Sequence, residues 1–354
     1  MSRKKAIPTL SEVAKRAGVG TSTVSRVING GHRVDPVTLA RVRRVIDSLG
    51  YVPNLAARIL KGYRTRTMGL VIPSIADPFF SGCAEAIQAV AHANDSLLIV
   101  VTTQNDPRTE IENVDVLRRH RVDGLIIAPA NSQNEALRQT LEALSIPVVA
   151  IDRPVASSSV TSVLANNFCG AKLATQHLLD HGYKRIMCLT GESTLYTIRE
   201  RISGYQKTVE AAGLKSMLDT SVKDYKSTEY AIETSLSSSD PPDAIFSTKN
   251  STTIYAFEAL QHFKVPIPGR VALLGYDDFE LASTLRPSIS VIEQPIEEIG
   301  RLAAESLFAQ MLEIPQGKRR ATPARRRQIQ LETRLVARSS CGCSPRLPEA
   351  AESQ

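Results

Sequence analysis

Apolar residues recur at helical spacing in three short blocks at the start of the chain. Leu10, Val13, Ala14 and Ala17 share one face of a helix. Thr9, with Glu12 three positions later, is a capping-box pattern, so that helix begins at Leu10. Gly18-Val19-Gly20 breaks it, and Gly20 is a weak N-cap for a second helix. On the second helix Val24, Val27 and Ile28 point inward, and Thr21, Ser22, Ser25, Arg26 and Asn29 point outward. Asp35-Pro36 supplies an N-cap and a first helical residue for a third helix. Its stripe is Leu39, Val42, Ile46 and Leu49, and Gly50 stops it. Three small helices around one core make a helix-turn-helix unit, whose second helix is of the kind that enters the DNA major groove. An ordinary three-helix bundle with a solvated polar face shares this pattern.

Tyr51-Val52-Pro53-Asn54 then leads into a segment that Asn54 can cap and Gly62 can end. A helix over 55–62 is too short to hold itself in water and needs outside support. The remaining stretch of about 290 residues is long enough for two domains or subdomains. Short apolar runs predict strands at 68–72, 97–102, 124–128, 148–151, 186–189, 244–246 and 271–275. Amphipathic stretches between them, such as 84–93, 171–179 and 253–263, predict helices. This alternation implies an α/β fold with parallel sheets, in which ligands bind beyond the carboxyl ends of the strands.

Charge separates the two parts. Through Arg66 the chain carries 14 Lys and Arg against three acidic residues, and residues 318–338 carry eight against one. The rest has 21 basic and 32 acidic residues. A basic head on a mildly acidic body is what counterion release from a phosphate backbone rewards, and a merely solvated bundle needs no such concentration. No run approaches the roughly 20 apolar residues of a membrane helix. The start, MSRKKAIPTL, is basic without an apolar core, so neither a membrane partner nor a secretory signal is expected, and a cytoplasmic location is.

The segment TLSEVAKRAGVGTSTVSRVIN, the LGYVPN link, and the later IDRP, RISGY and GYDD stretches resemble the LacI/GalR family of bacterial transcription regulators. The similarity runs from about Thr9 to Val336. It implies a helix-turn-helix domain over 1–53, a hinge helix and linker over 54–65, and a two-lobed, periplasmic-binding-protein-like body over 66–340. Lobe one would take 66–164 plus 293–324, and lobe two 165–292 plus 325–340. It also implies a homodimer, or a higher oligomer, on a palindromic double-stranded DNA operator. Candidate DNA contacts are Thr9, Thr21, Ser22, Thr23, Ser25, Arg26 and Asn29 in the head. Thr21, Ser22 and Arg26 are expected to reach base edges, and Ser25 and Asn29 phosphates. Asn54, Ala57 and Leu60 join them from the hinge, where the resemblance supports Leu60 as a minor-groove wedge and Ala57 as a close-approach residue.

In the body, polar and aromatic residues collect where strands end. Phe79 and Phe80 follow the first strand, Asp152 the fourth, and Asp277 the seventh. Arg201 stands in RISGY before a predicted helix, Tyr225 follows Val222-Lys223-Asp224, and Asn250 follows Phe246-Ser247-Thr248-Lys249. Carboxylates, an amide and a guanidinium satisfy hydroxyls, and rings cover an apolar sugar face. The resemblance implies that Phe80, Asp152, Arg201, Tyr225, Asn250 and Asp277 line an effector cleft. Taken singly, Asp152 and Asp277 serve equally as helix caps. The family often carries Asp after the position of Asn250, where this chain has Ser251.

The expected function is therefore a transcriptional regulator, a repressor, controlled by a sugar or sugar derivative. A nucleobase effector is the alternative within the family, since Phe79 and Phe80 could stack a planar ring. A sugar-binding transport protein would share the body but needs a signal peptide and no basic head. No nucleophile–base pair, Walker loop or GxGxxG is readable, so neither an enzyme nor a cofactor is expected. His177 and His181 stand four apart on a predicted helix, but no third ligand is near in sequence and no metal is expected. Cys83, Cys169 and Cys188 read as reduced core residues. Cys341 and Cys343 fall in a tail over 341–354 expected to be disordered. Arg325-Arg326-Arg327 reads as a solvated loop before a last strand at Gln328–Leu331, with a second nucleic-acid patch as the alternative.

Overall fold

The structure, a computed structural model, describes residues 8–28, 33–52, 64–191, 193–313 and 327–343. Contacts divide the chain into two units, Met1–Thr65 and Arg66–Gln354.

In the head, α1 (Leu10–Ala17), α2 (Thr21–Ile28) and α3 (Pro36–Leu49) surround one small core of Val13, Ala14, Ala17, Val24, Val27 and Val42. The Thr9 hydroxyl accepts the Glu12 N–H at 3.3 Å and starts α1. One Asp35 carboxylate oxygen accepts the N–H groups of Val37 and Thr38, each at 3.0 Å, and starts α3. Gly18 and Gly50 end α1 and α3 at φ of 66° and 60°, left-handed positions where a side chain would be strained.

The body holds two six-stranded sheets. The first is built from β1 (Thr67–Ile72), β2 (Leu97–Thr102), β3 (Gly124–Ile127), β4 (Val148–Ile151), β5 (Thr161–Ala165) and, from far along the chain, β11 (Gln328–Leu331). Their spatial order is β11-β5-β4-β3-β1-β2, all parallel. Helices α4 (Pro78–Ala93) and α11 (Ile296–Glu313) cover one face. Helices α5 (Pro107–Arg119) and α6 (Glu135–Glu142) cover the other. Being buried on both faces explains why β1, β3 and β4 are apolar runs rather than alternating ones.

The second sheet repeats the plan. It contains β6 (Ile186–Leu189), β7 (Met217–Asp219), β8 (Ala244–Ser247), β9 (Ala272–Tyr276), β10 (Ser290–Glu293) and β12 (Arg334–Val336), in the order β12-β10-β9-β8-β6-β7. Only the β10–β12 pair is antiparallel. Helices α7 (Asn167–Asp180) and α8 (Tyr196–Ala211) pack on one face, and α9 (Tyr225–Leu236) and α10 (Asn250–His262) on the other.

The chain thus changes sheets after β5, after β10 and after β11. The last crossing corrects the sequence expectation, which gives the whole of 325–340 to lobe two. Gln328 to Leu331 pair with Ser162 to Ala165 and belong to lobe one, so the crossing falls at Glu332-Thr333. An edge strand of four half-exposed residues carries no sequence signal for which sheet it joins.

Candidate functional site

The loops at the carboxyl ends of both sheets face one another across a cavity of about 570 Å³. From lobe one come Pro73, Ser74 and Asp77 after β1, Gln104 and Asn105 after β2, and Asp152 and Arg153 after β4. From lobe two come Arg201 on α8, Thr248 and Lys249 after β8, Asp277 after β9 and Gln294 after β10.

Each charged group has a defined setting. Asp77 caps α4, accepting the Phe79 N–H at 3.1 Å, and its other oxygen lies 3.9 Å from Lys249 Nζ of the opposite lobe. Asp152 sits at φ 63° and Asp277 at φ 69°, left-handed conformations that Asp tolerates better than bulkier residues. Arg153 donates from Nη1 to Asn105 Oδ1 at 2.7 Å and to the Pro129 carbonyl at 3.1 Å. Its Nε lies 2.9 Å from Asp152 Oδ2 but out of hydrogen-bond alignment, leaving a buried N–H without an acceptor. Arg201 donates from Nε to Asn167 Oδ1 at 2.7 Å and from Nη1 to the Thr248 carbonyl at 2.6 Å. Its guanidinium lies 3.6 Å from the centre of the Tyr276 ring and 3.5 Å from Asp277 Oδ2. Gln294 donates to Asp277 Oδ1 at 2.6 Å, while its own carbonyl oxygen is buried without a partner. Burial raises the pKa of Asp152 against the pull of Arg153 and Arg201. It raises that of Asp277 against Arg201 and the Gln294 hydrogen bond.

Among the described residues, three carboxylates (Asp77, Asp152 and Asp277) and four cations (Arg153, Arg201, Lys223 and Lys249) line the cavity, and most are matched to one another. Phe79 and Phe80 supply an apolar wall, edge to face with ring centres 5.0 Å apart. Such a cleft presents alternating donors and acceptors with little net charge, which suits a neutral polyhydroxylated molecule better than an ion.

Five of the seven residues expected from sequence line this cavity: Phe79, Phe80, Asp152, Arg201 and Asp277. Tyr225 and Asn250 stand outside the lining. Tyr225 opens α9, and its hydroxyl donates to Glu229 Oε1 at 2.8 Å. Asn250 opens α10, where its side-chain Oδ1 accepts the Ser251 N–H at 2.7 Å, and its neighbours Lys249 and Ser251 reach the cavity instead. Asn105, Arg153, Thr248 and Gln294 were not singled out from sequence. Asn105, Arg153 and Thr248 fall two or three residues beyond strands predicted from sequence, within reach of the strand-end rule, whereas Gln294 follows β10, which the sequence does not predict.

In the head, Thr21, Ser22 and Arg26 are exposed on α2, and Thr23 and Ser25 are half-buried. Thr9 is exposed, with its hydroxyl engaged in capping. Asn29, Asn54, Ala57 and Leu60 lie outside the described residues, as does the segment 53–63. Two cysteine expectations are corrected. Cys169, on the outer side of α7, is exposed rather than in the core. Cys341 is fully buried in a short 3-10 helix (Ser339–Cys341), so the tail expected from 341 begins no earlier than 344.

A helix-turn-helix head joined to a two-lobed body with a polar interlobe cleft defines a DNA-binding protein with a ligand-sensing domain. Comparison with known proteins agrees. Residues 9–54 match the family of bacterial regulatory proteins of the lacI type. Residues 65–338 match the family of periplasmic binding proteins and the sugar binding domain of the LacI family. The chain is 32% identical over 303 residues to the ribose operon repressor of Haemophilus influenzae, covering 85% of this chain and 91% of that protein. Among solved structures it resembles the transcriptional regulator CelR in a cellobiose complex, at TM-score 0.68 and 30% identity over 94% of this chain and 99% of that one. It shares the fold of the lac repressor dimer bound to operator, at TM-score 0.80 and 22% identity over 95% of this chain and 99% of that one. The chain belongs to the LacI family of bacterial transcription regulators. No helix among the described residues is long and apolar enough to cross a membrane.

Proposed function

We propose that this regulator is a cytoplasmic, non-enzymatic repressor that binds a palindromic operator as a homodimer, and that a neutral sugar in the interlobe cleft controls that binding. The cleft itself carries the reading: about 570 Å³ lined by paired charges and amides, with an aromatic wall, holds a sugar of one or two rings. The relatives support it, since one represses a ribose operon and another is known in complex with cellobiose. Asp152 and Asp277 accept sugar hydroxyls, and the unpartnered Arg153 Nε–H and Gln294 carbonyl oxygen offer one further donor and acceptor. On DNA, Thr21, Ser22 and Arg26 read base edges, and Thr9, Thr23, Ser25 and Asn29 support them at the backbone. Asn54, Ala57 and Leu60, outside the described residues, are assigned to DNA contact as well, with Leu60 as the minor-groove wedge.

Calorimetric screening of the full-length protein against pentoses, hexoses, disaccharides and nucleobases tests the ligand class. A sugar is expected to bind, and Asp152→Asn is expected to weaken it by about tenfold or more, the value of one charge-assisted hydrogen bond. Binding of a nucleobase with no sugar bound would replace the sugar assignment by the family's other effector class.

A further inference from the structure

The segment after β12 folds back against the far end of α7 and brings four ligand atoms together. His177 lies in the last turn of α7, and His181 follows it by four residues as the helix C-cap, so both rings lie on one face. Beyond β12, Arg338 leads into the 3-10 helix Ser339–Cys341, which two buried hydrogen bonds fix against the second sheet. Ser340 donates to the Leu273 carbonyl at 2.6 Å and accepts the Ser290 N–H at 2.8 Å. Gly342 then turns the chain at φ 97°, a left-handed conformation, and swings Cys343 back toward the helix. It is this φ that calls for glycine, and a Cβ there would also stand 3.0 Å from Tyr183 Oη.

The resulting distances are those of a coordination shell. His177 Nε2 is 3.2 Å from Cys341 Sγ and 3.6 Å from Cys343 Sγ, and His181 Nε2 is 3.3 Å from Cys343 Sγ. All four ligand atoms lie within 4.8 Å of one another. A tetrahedral zinc ion, with bonds of about 2.0–2.1 Å to nitrogen and about 2.3 Å to sulfur, sets its nitrogen–sulfur edges at about 3.5 Å. Burial is graded, from Cys341 inside, through half-buried His177 and Cys343, to exposed His181, which leaves an entry path. Ser290 Oγ donates to Cys341 Sγ at 3.0 Å, the outer hydrogen bond that steadies a thiolate ligand.

We propose that His177, His181, Cys341 and Cys343 bind one divalent ion of the zinc type. Two thiolates and two imidazoles form a closed tetrahedral set, and the doubly charged ion with two thiolates is neutral overall. With no ligand position open the site is structural: it clips the segment after β12 onto α7, whose opposite end holds Asn167 against Arg201 in the cleft. From sequence the histidine pair lacks a third ligand. The third and fourth come from over 160 residues away, a distance no local motif spans.

The test uses full-length, untagged, reduced protein. Metal content is measured by mass spectrometry, and cobalt(II) is titrated into metal-stripped protein. One ion per chain is expected, and cobalt should give the intense visible spectrum of tetrahedral thiolate coordination. His181→Ala and Cys343→Ser, both at the outer rim, should each weaken cobalt binding by at least about tenfold, since losing even an outer-shell partner costs about that much. Operator binding and circular dichroism of both variants report that they are folded. Reduced protein that takes up no zinc and shows no tetrahedral cobalt spectrum overturns the proposal. So does metal retained equally by both variants, or a Cys341–Cys343 disulfide as the state that excludes metal under reducing purification.

Discussion

Glu110 is fully buried on α5, where one oxygen accepts the Ala130 N–H at 2.7 Å and the other has no partner. Burial lifts its pKa to about 7, against the lowering pull of that N–H and of the Arg153 guanidinium. A carboxyl raised in the folded state stabilises the fold fully below its ordinary value near 4.5. That contribution is lost as pH rises toward about 7 and is flat above it. The slope between those limits is at most about 1.4 kcal/mol per pH unit. Glu110→Gln fixes the neutral form and keeps the acceptor for Ala130. Denaturant melts across this range are expected to show a shallower pH slope in the variant, and identical slopes would mean that Glu110 does not titrate there. A second residue-scale expectation concerns specificity. Arg26 is exposed on α2 with no partner fixing it among the described contacts of the head, as a base-reading side chain must be. Arg26→Ala should cost about 1–3 kcal/mol and relax preference at one symmetric base pair. Equal weakening on all sequences would make it a phosphate contact instead.

Among the elements, α8 shows what the RISGY stretch does. Arg201 points into the cleft, and Gly204, one turn on, lets the helix lie against α7. A Cβ at Gly204 would meet the Phe168 carbonyl oxygen at 2.4 Å and Ala171 Cβ at 2.9 Å. Tyr205 is buried, and its hydroxyl donates to the Ile186 carbonyl and accepts the Met217 N–H, both at 2.7 Å, joining β6 to β7. GYDD is read in the same way. Tyr276 stacks beneath Arg201, Asp277 faces the cleft, and Asp278 takes a two-pronged contact from Arg338, at 2.9 and 2.6 Å, that anchors the segment after β12. Gly204→Ala is expected to lose about 1–3 kcal/mol in chemical denaturation, because a backbone oxygen cannot yield as a side chain can. Unchanged stability would show that α7 and α8 separate freely. Eight strands are legible: β1, β3, β4, β6, β8 and β9 as apolar runs buried on both faces, the edge strand β2 as an apolar run despite its exposure, and β11 as the last strand before the chain returns to lobe two. β7 and β12, of three residues each and none of them fully buried, have no such signature. β5 is buried throughout and β10 nearly so, but Thr161 and Ser162 in the one and Ser290 and Glu293 in the other break the apolar run. In the cleft, carboxylates and aromatics were legible by type, whereas Asn105 and Gln294 look like ordinary loop amides until both sheets bring their ends together.

For the whole molecule, the body is two similar lobes joined by three crossings around a cleft that Asp77 and Lys249 already span at 3.9 Å. A ligand gripped by Asp152 and Arg153 of one lobe and by Arg201 and Asp277 of the other favours one lobe spacing over others. It therefore biases any equilibrium in which that spacing differs. If operator binding selects among the same states, the coupling is reciprocal: sugar changes operator affinity by the same factor by which operator changes sugar affinity. The direct measurement is calorimetric sugar affinity of the full-length protein, free and saturated with its operator. The two dissociation constants are expected to differ by about 5–150-fold, matching the sugar-induced change in operator affinity. Equal sugar affinity on and off the operator would contradict the account of this protein as a sugar-controlled regulator.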